Sequence, residues 1–260
     1  MYKLNELMEV IEGYAPLELS RQAIARGSYD NSGIIINSHD NVEKILFTLD
    51  LSIDSVKQAE KVGADTIITH HPAIYNPVKT LSIGGETAAV LMAARAGMNV
   101  ISMHLNLDMA KQGIDYFLAK GLGAAESKIL DEYGDEQGYG REFIVKGQAE
   151  DLLDKARAVF GSEKIILYGS GKVERAASFC GGGSDNALKA VLCGATAANL
   201  IVSSDIPHHV LKELIERDKM VMIIPHYVSE NYGFEKFYAF AVKAFGDDVK
   251  AYYFLDKRFM

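Results

Sequence analysis

Cysteine is scarce in this chain: two residues, Cys180 and Cys193, in 260. They form no framework and no metal-type spacing, which excludes a disulfide scaffold and a zinc finger and leads us to expect a cytoplasmic protein. Long apolar runs are missing as well, and none approaches the ~18 residues that a membrane-spanning helix needs. No block of lysine or arginine occurs, the formal net charge is -8 and the pI is about 5.4. That balance argues against a dedicated nucleic-acid or anionic-membrane surface. Met1 to Gly13 lacks a basic stretch followed by an apolar one, so no secretory signal is expected. What is present is a hydrophobic fraction of 48% and a mean hydropathy of +0.02. This is the composition of a globular protein with room for one large domain or two small ones.

Taken in order, the chain alternates strands and helices. Leu4, Leu7, Met8 and Ile11 have helical spacing, and a second short helix is expected across Pro16 to Gly27. Asp30-Asn31-Ser32-Gly33 is a turn signal before the strand Ile34 to Ile36, and Lys44 to Leu49 is the next strand. Ser55 to Gly63 reads as a helix closed by a C-cap glycine, Ala64 to Thr69 as a buried strand, Glu86 to Ala96 as a helix and Asn99 to Met103 as a strand. This is the pattern of a mixed, largely parallel sheet flanked by helices.

Near Gly121 the composition becomes more polar, with an acidic loop over Asp131 to Gly138, and a lobe boundary is expected there. The expected division is lobe 1 over about 1–125 plus about 230–260, and lobe 2 over about 126–229. In the second part, a helix is expected over Ala149 to Phe160, and Gly169-Ser170-Gly171 as a hairpin turn between strands. Further helices are expected over Asn186 to Cys193, Pro207 to Arg217 and Ser229 to Phe245. Ser55 to Ala64 and Asn186 to Ala195 align without gaps, each a helix closed by Gly-Ala ahead of a strand.

Six of the seven histidines fall in four places: His70-His71, His104, His208-His209 and His226. Each place follows an expected strand, and the carboxyl edge of an open α/β sheet is where ligands bind. Pro72 ends the pairing of the strand before it, so that two adjacent histidines can serve one site where the chain turns. Asp108 lies four residues after His104, and Glu230 four after His226. Neutral imidazoles and carboxylates suit Zn, Mn, Fe or Co. With a carboxylate bridging, three histidines together with Asp108 and Glu230 are enough for two divalent ions about 3.5–4 Å apart. We expect Glu230 in the first turn of its helix, N-capped by Ser229. Gly181-Gly182-Gly183-Ser184 before a helix offers backbone amides to an anion, although the lysine of a P-loop is absent. His208 and His209 are read as pocket residues, as partners behind the ligands or as surface residues at a helix start, with a pocket role favoured over ligation.

These residues carry a family resemblance. The motifs Asp30-Asn31-Ser32-Gly33, Ile68-Thr69-His70-His71-Pro72, His104-Leu105-Asn106-Leu107-Asp108, Gly181-Gly182-Gly183-Ser184, Ser204-Asp205-Ile206-Pro207-His208-His209 and His226-Tyr227-Val228-Ser229-Glu230 span most of the chain. Together they resemble the Nif-three-like family, whose members are called GTP cyclohydrolase I type 2 homologues, in its short form. The resemblance implies a dinuclear metal site at His70, His71, Asp108, His226 and Glu230. It also implies two α/β lobes with the site in the cleft between them, and a ring-shaped homohexamer built as a trimer of dimers. Pro225 stands where the family usually has Gly, Ser203-Ser204 replaces Thr-Gly, and Leu105 replaces Thr.

The expected function is therefore a dinuclear metal-dependent hydrolase acting on a small molecule, a nucleotide such as GTP. In that reading a metal-bound hydroxide attacks guanine C8 and formate is released, with His104 or His209 shuttling protons beside Glu230. A phosphoesterase is a variant of the same class. The alternative is a non-enzymatic metal-binding or regulatory scaffold, or a metal carrier.

Overall fold

The computed structural model describes residues 2–260. In chain order it runs β1 (Tyr2–Lys3), α1 (Leu4–Tyr14), α2 (Leu17–Ala25), β2 (Gly33–Ile36), β3 (Asn41–Val42), β4 (Lys44–Thr48), α3 (Ile53–Val62), β5 (Thr66–Thr69), α4 (Ala88–Arg95), β6 (Asn99–Ser102) and α5 (Leu105–Met109). Then follow α6 (Ile114–Gly121), β7 (Lys128–Gly134), β8 (Gln137–Gln148), α7 (Ala149–Phe160), β9 (Ile166–Tyr168) and β10 (Lys172–Ser178). The chain continues with α8 (Ser184–Leu192), β11 (Leu200–Ser203), α9 (His208–Ile215), β12 (Met220–Ile223), α10 (His226–Phe245) and β13 (Lys250–Tyr253). Two compact units result: Met1–Leu107 with Lys236–Asp256, and Asp108–Glu235 with Lys257–Met260.

The first unit is built on a five-stranded sheet of order β13-β4-β5-β6-β2. β13, β4, β5 and β6 are parallel, and β2 is antiparallel against β6. Leu46, Ile67 and Val100 share one buried cluster with Val56 and Ala59 of α3 and Ala89 and Ala93 of α4. Phe47, one residue along β4, turns to the opposite face and meets Phe237 and Tyr238 of α10 at ring separations of 6.0 and 5.3 Å. Both faces are thus covered, which is why β4, β5 and β6 carry consecutive apolar residues at their centres, Ile45-Leu46-Phe47, Ile67-Ile68 and Val100-Ile101. Each fully buried Leu, Ile or Phe there contributes about 1.5–3 kcal/mol of transfer free energy.

The second unit carries a six-stranded sheet of order β7-β8-β10-β11-β12-β9. β10, β11 and β12 are parallel, while β8 and β9 run antiparallel to β10 and β12. Ala187 and Ala190 of α8 and Val210 and Leu214 of α9 bury the face presented by Ala177, Ile201 and Val221.

The segments β2-β4-α3-β5-α4-β6 and β9-β10-α8-β11-α9-β12 follow one plan. Each has three parallel strands with two crossover helices, and its first strand returns antiparallel beside the last. The aligned Gly-Ala pairs close α3 and α8 alike. Gly63 and Gly194 take φ of +68° and +70°. Ala64 and Ala195 then donate back to the carbonyls of Ala59 and Ala190 at 2.8 and 2.9 Å. A side chain in this left-handed conformation would be strained, so glycine ends both helices.

Three local expectations are corrected. Residues 131–138 are not an acidic loop but the tip of the β7–β8 hairpin, turned by Glu136 at φ 57°. Glu132, Asp135 and Glu136 are exposed at this tip, beside the edge strand β7, where charge guards against further pairing. Gly169-Ser170-Gly171 does not close a hairpin, because β9 pairs with β12 and not with β10. Helix α10 begins at His226, so Ser229 is no N-cap and Glu230 stands one turn beyond His226.

Candidate metal centre

In the first unit, β4, β5 and β6 are neighbours and parallel, so their carboxyl ends reach one edge of the sheet. Each delivers a side chain within two residues of its end: Asp50 after Thr48, His70 and His71 after Thr69, and His104 after Ser102. Because β2 is antiparallel to β6, its amino end lies at this same edge and brings Asp30. The His70-His71 turn is fixed by backbone donation from both amides to Leu49 O, at 3.1 and 2.9 Å, and by Thr69 Oγ1 donating to His71 O at 2.8 Å.

The three imidazoles gather with centroid separations of 5.0 Å for His70–His71, 5.4 Å for His70–His104 and 5.9 Å for His71–His104. Each ring is held through Nδ1. His70 donates to Met103 O at 2.8 Å, His71 to Asp50 Oδ1 at 2.7 Å and His104 to Asp30 Oδ1 at 2.7 Å. An acceptor on Nδ1 fixes the proton there, orients the ring and makes Nε2 the coordinating nitrogen. Burial works against the charge on Asp30. The hydrogen bonds from His104, Ser20 and Ser32 nonetheless hold its carboxyl below the usual range.

In the second unit the parallel strands β10, β11 and β12 lead into Cys180, Asp205 and His226. His226 repeats the same device, with Nδ1 on Asp205 Oδ2 at 2.5 Å. Its Nε2 lies 3.0 Å from Glu230 Oε1, one helical turn along α10. Asp205 adopts φ 48°, an uncommon conformation for a residue with a side chain and a frequent mark of functional sites. Ser229 ties this corner together: its Oγ donates to His226 O at 2.8 Å and accepts from Gly181 N at 3.2 Å and Ser204 Oγ at 3.0 Å.

Asp108 is buried on α5 and accepts from Cys180 Sγ at 3.3 Å. Asp115, fully buried, accepts from Cys180 N at 3.2 Å and faces Arg141 at 3.6 Å. Burial pushes the Asp115 carboxyl up to about 7 despite that arginine. Gly181 has φ +54°, and a Cβ there would collide with Glu230 Oε1 and lie 3.2 Å from His226 Nε2.

Among the described residues, the side chains that could serve as metal donors fall in two groups by unit: His70, His71 and His104 in the first, Asp108 and Glu230 in the second. His104, read from the sequence as a proton shuttle, is thus also a candidate donor. His226 belongs to neither group but reaches Glu230 directly. His208 and His209 are exposed at the start of α9 and belong to neither group. Sequence reasoning missed the carboxylate partners Asp50, Asp30 and Asp205, and the contact of Cys180 with Asp108. The signal available was position: Asp50, Cys180 and Asp205 each stand two residues past a parallel strand.

Comparisons with known proteins find relatives over nearly the whole chain. A protein named GTP cyclohydrolase 1 type 2 homolog from Lactococcus lactis is 27% identical over 257 residues, covering 96% of this chain and 95% of that one. One of the same name from Methanocaldococcus jannaschii is 30% identical over 245 residues, covering 92% and 94%. Among solved structures, the Staphylococcus aureus protein SA1388 has the same fold, with a TM-score of 0.85 at 21% identity over 98% of this chain and 96% of that one. Reduced HcgD from Methanocaldococcus jannaschii matches with a TM-score of 0.79 at 27% identity over 96% and 97%. The model of the Duf34/NIF3 (NGG1p interacting factor 3) family matches residues 2–256, and the chain belongs to that family.

Proposed function

We propose that this protein is a dinuclear metal-dependent hydrolase of the GTP cyclohydrolase type, acting on a small molecule of the nucleotide class. One observation carries the reading. Four histidines at strand ends are each anchored through Nδ1, three of them by carboxylates, in the arrangement that prepares imidazoles for a metal. The donor set also fits chemically, since imidazole and carboxylate together suit Zn, Mn, Fe or Co. In this reading His70, His71, Asp108, His226 and Glu230 hold two divalent ions, with His104 a further donor.

Bound divalent ions would supply a Lewis acid and acidify a water near neutral pH. The chain's own contribution is to fix the donors and to manage protons. His104, held by Asp30, can take up and return a proton at Nε2 when that nitrogen is not coordinating, and His209 is an exposed alternative at the surface. For GTP the reaction would open the guanine ring at C8 and release formate; the names borne by the relatives support that substrate. No helix among the described residues is long and apolar enough to cross a membrane. We place the protein in the cytoplasm as a homohexamer, a trimer of dimers.

A second reading is a non-enzymatic metal-binding scaffold or carrier, favoured by the family's description as an interacting factor. The two separate on one experiment. Metal-free protein is reloaded with Zn, Mn, Fe or Co and assayed for formate release from GTP and for phosphoester hydrolysis. Metal-dependent turnover abolished by Glu230→Ala supports the hydrolase. Tight metal uptake with no turnover across the panel supports the scaffold.

A further inference from the structure

The backbone at Cys180 is pinned on every side. Its amide donates to Asp115 Oδ1 at 3.2 Å, its carbonyl accepts from the Tyr139 hydroxyl, and the next amide, of Gly181, donates to Ser229 Oγ at 3.2 Å. Its thiol is buried and lies 3.3 Å from Asp108 Oδ1. The adjoining Gly181 Cα lies so close to Glu230 and His226 that no Cβ fits. One rigid dipeptide therefore abuts three of the five expected ligands, touching one through sulfur and two through bare backbone.

We propose that Cys180 is a positioning residue of the metal centre: its S–H donates to Asp108 Oδ1 and turns the other carboxylate oxygen, Oδ2, toward the ion. This rests on the reading of Asp108 as a ligand. A carboxylate can bind an ion through one oxygen or both, and a donor committed to Oδ1 favours the one-oxygen mode. A thiol suits this task because it is a weak donor and withdraws little charge from the carboxylate. The sulfur acts through Asp108 and is not itself a ligand.

The test is metal binding by metal-free full-length protein, measured as Zn and Mn dissociation constants against a competing chelator. Wild type, Cys180→Ala, Cys180→Val and Cys180→Ser are compared, with thermal melting as a check on folding. The valine variant fills the sulfur's space without a donor and serves if the alanine variant fails to fold. Loss of the donor should weaken binding of one ion by about 10–100-fold, the usual effect of removing a group that orients a ligand. Cys180→Ser, which keeps a donor, should bind close to the wild type. Unchanged affinity in the donor-free variants, or an equal loss in Cys180→Ser, would overturn the proposal. So would a thiolate-to-cobalt charge-transfer band in cobalt-loaded wild type that disappears in Cys180→Ser, because the sulfur would then be a ligand. Wild type that takes up no ion would remove the metal reading itself, and this proposal with it.

Discussion

His71 and Asp50 are joined at 2.7 Å across two adjacent parallel strands, β5 and β4, each contributing a residue just past its end. His226 and Asp205 repeat the bond at 2.5 Å in the second unit, at the ends of β12 and β11. In each unit a parallel pair of strands sets an imidazole beside a carboxylate that fixes its tautomer.

These carboxylates should govern metal affinity without touching the metal. Replacing Asp50, Asp30 or Asp205 by Asn keeps the shape but allows the imidazole proton to move. Metal affinity is expected to fall by about 10–100-fold in each case, with the melting temperature of the metal-free protein little changed. Competition titration against a chelator measures it, and wild-type affinity in all three variants would show the pairs to be structural only.

Gly181→Ala tests the close approach to Glu230 and His226. The left-handed backbone and the collision with Glu230 Oε1 should destabilise the fold by about 1–3 kcal/mol. They should also displace the carboxylate and weaken metal binding. Urea denaturation and metal titration read the two effects separately.

Much of this was legible in the sequence, for identifiable reasons. Helix-Gly-strand units announced the parallel sheets, because a left-handed C-cap demands glycine at Gly63 and Gly194. The histidines stood out because Pro72 marks a strand end. The partner of each histidine was hidden, because sheet order decides it: Asp50 meets His71 only because β4 lies beside β5, and Asp30 meets His104 only because β2 lies beside β6. The β7–β8 hairpin was obscured by its exposed acidic residues, and the start of α10 by Pro225, whose carbonyl accepts from Ser229 N at 2.9 Å and opens the helix ahead of His226.

Stability should fall in acid through Glu142. Burial alone would push its carboxyl up. Thr196 Oγ1 at 2.6 Å, Ala197 N at 2.7 Å and Arg175 Nη1 at 3.0 Å donate to it and hold it below the usual 4.5. Since the unfolded chain takes up this proton first as pH drops, the stabilisation is present above the usual carboxyl pKa. It is lost as pH falls through the lower folded value. Glu142→Gln should cost about 1–3 kcal/mol at pH 7. That deficit should shrink below a pH of about 4, as followed by urea midpoints across pH. A deficit independent of pH would contradict the charge-based account.

The most direct measurement is metal stoichiometry by elemental analysis after equilibrium dialysis, on wild type, His70→Ala and Glu230→Ala. Two divalent ions per chain in the wild type, with at least one lost in each variant, is the expected result. Stoichiometry that both substitutions leave unchanged, or a wild type that retains no divalent ion, would contradict the assignment of these residues as ligands.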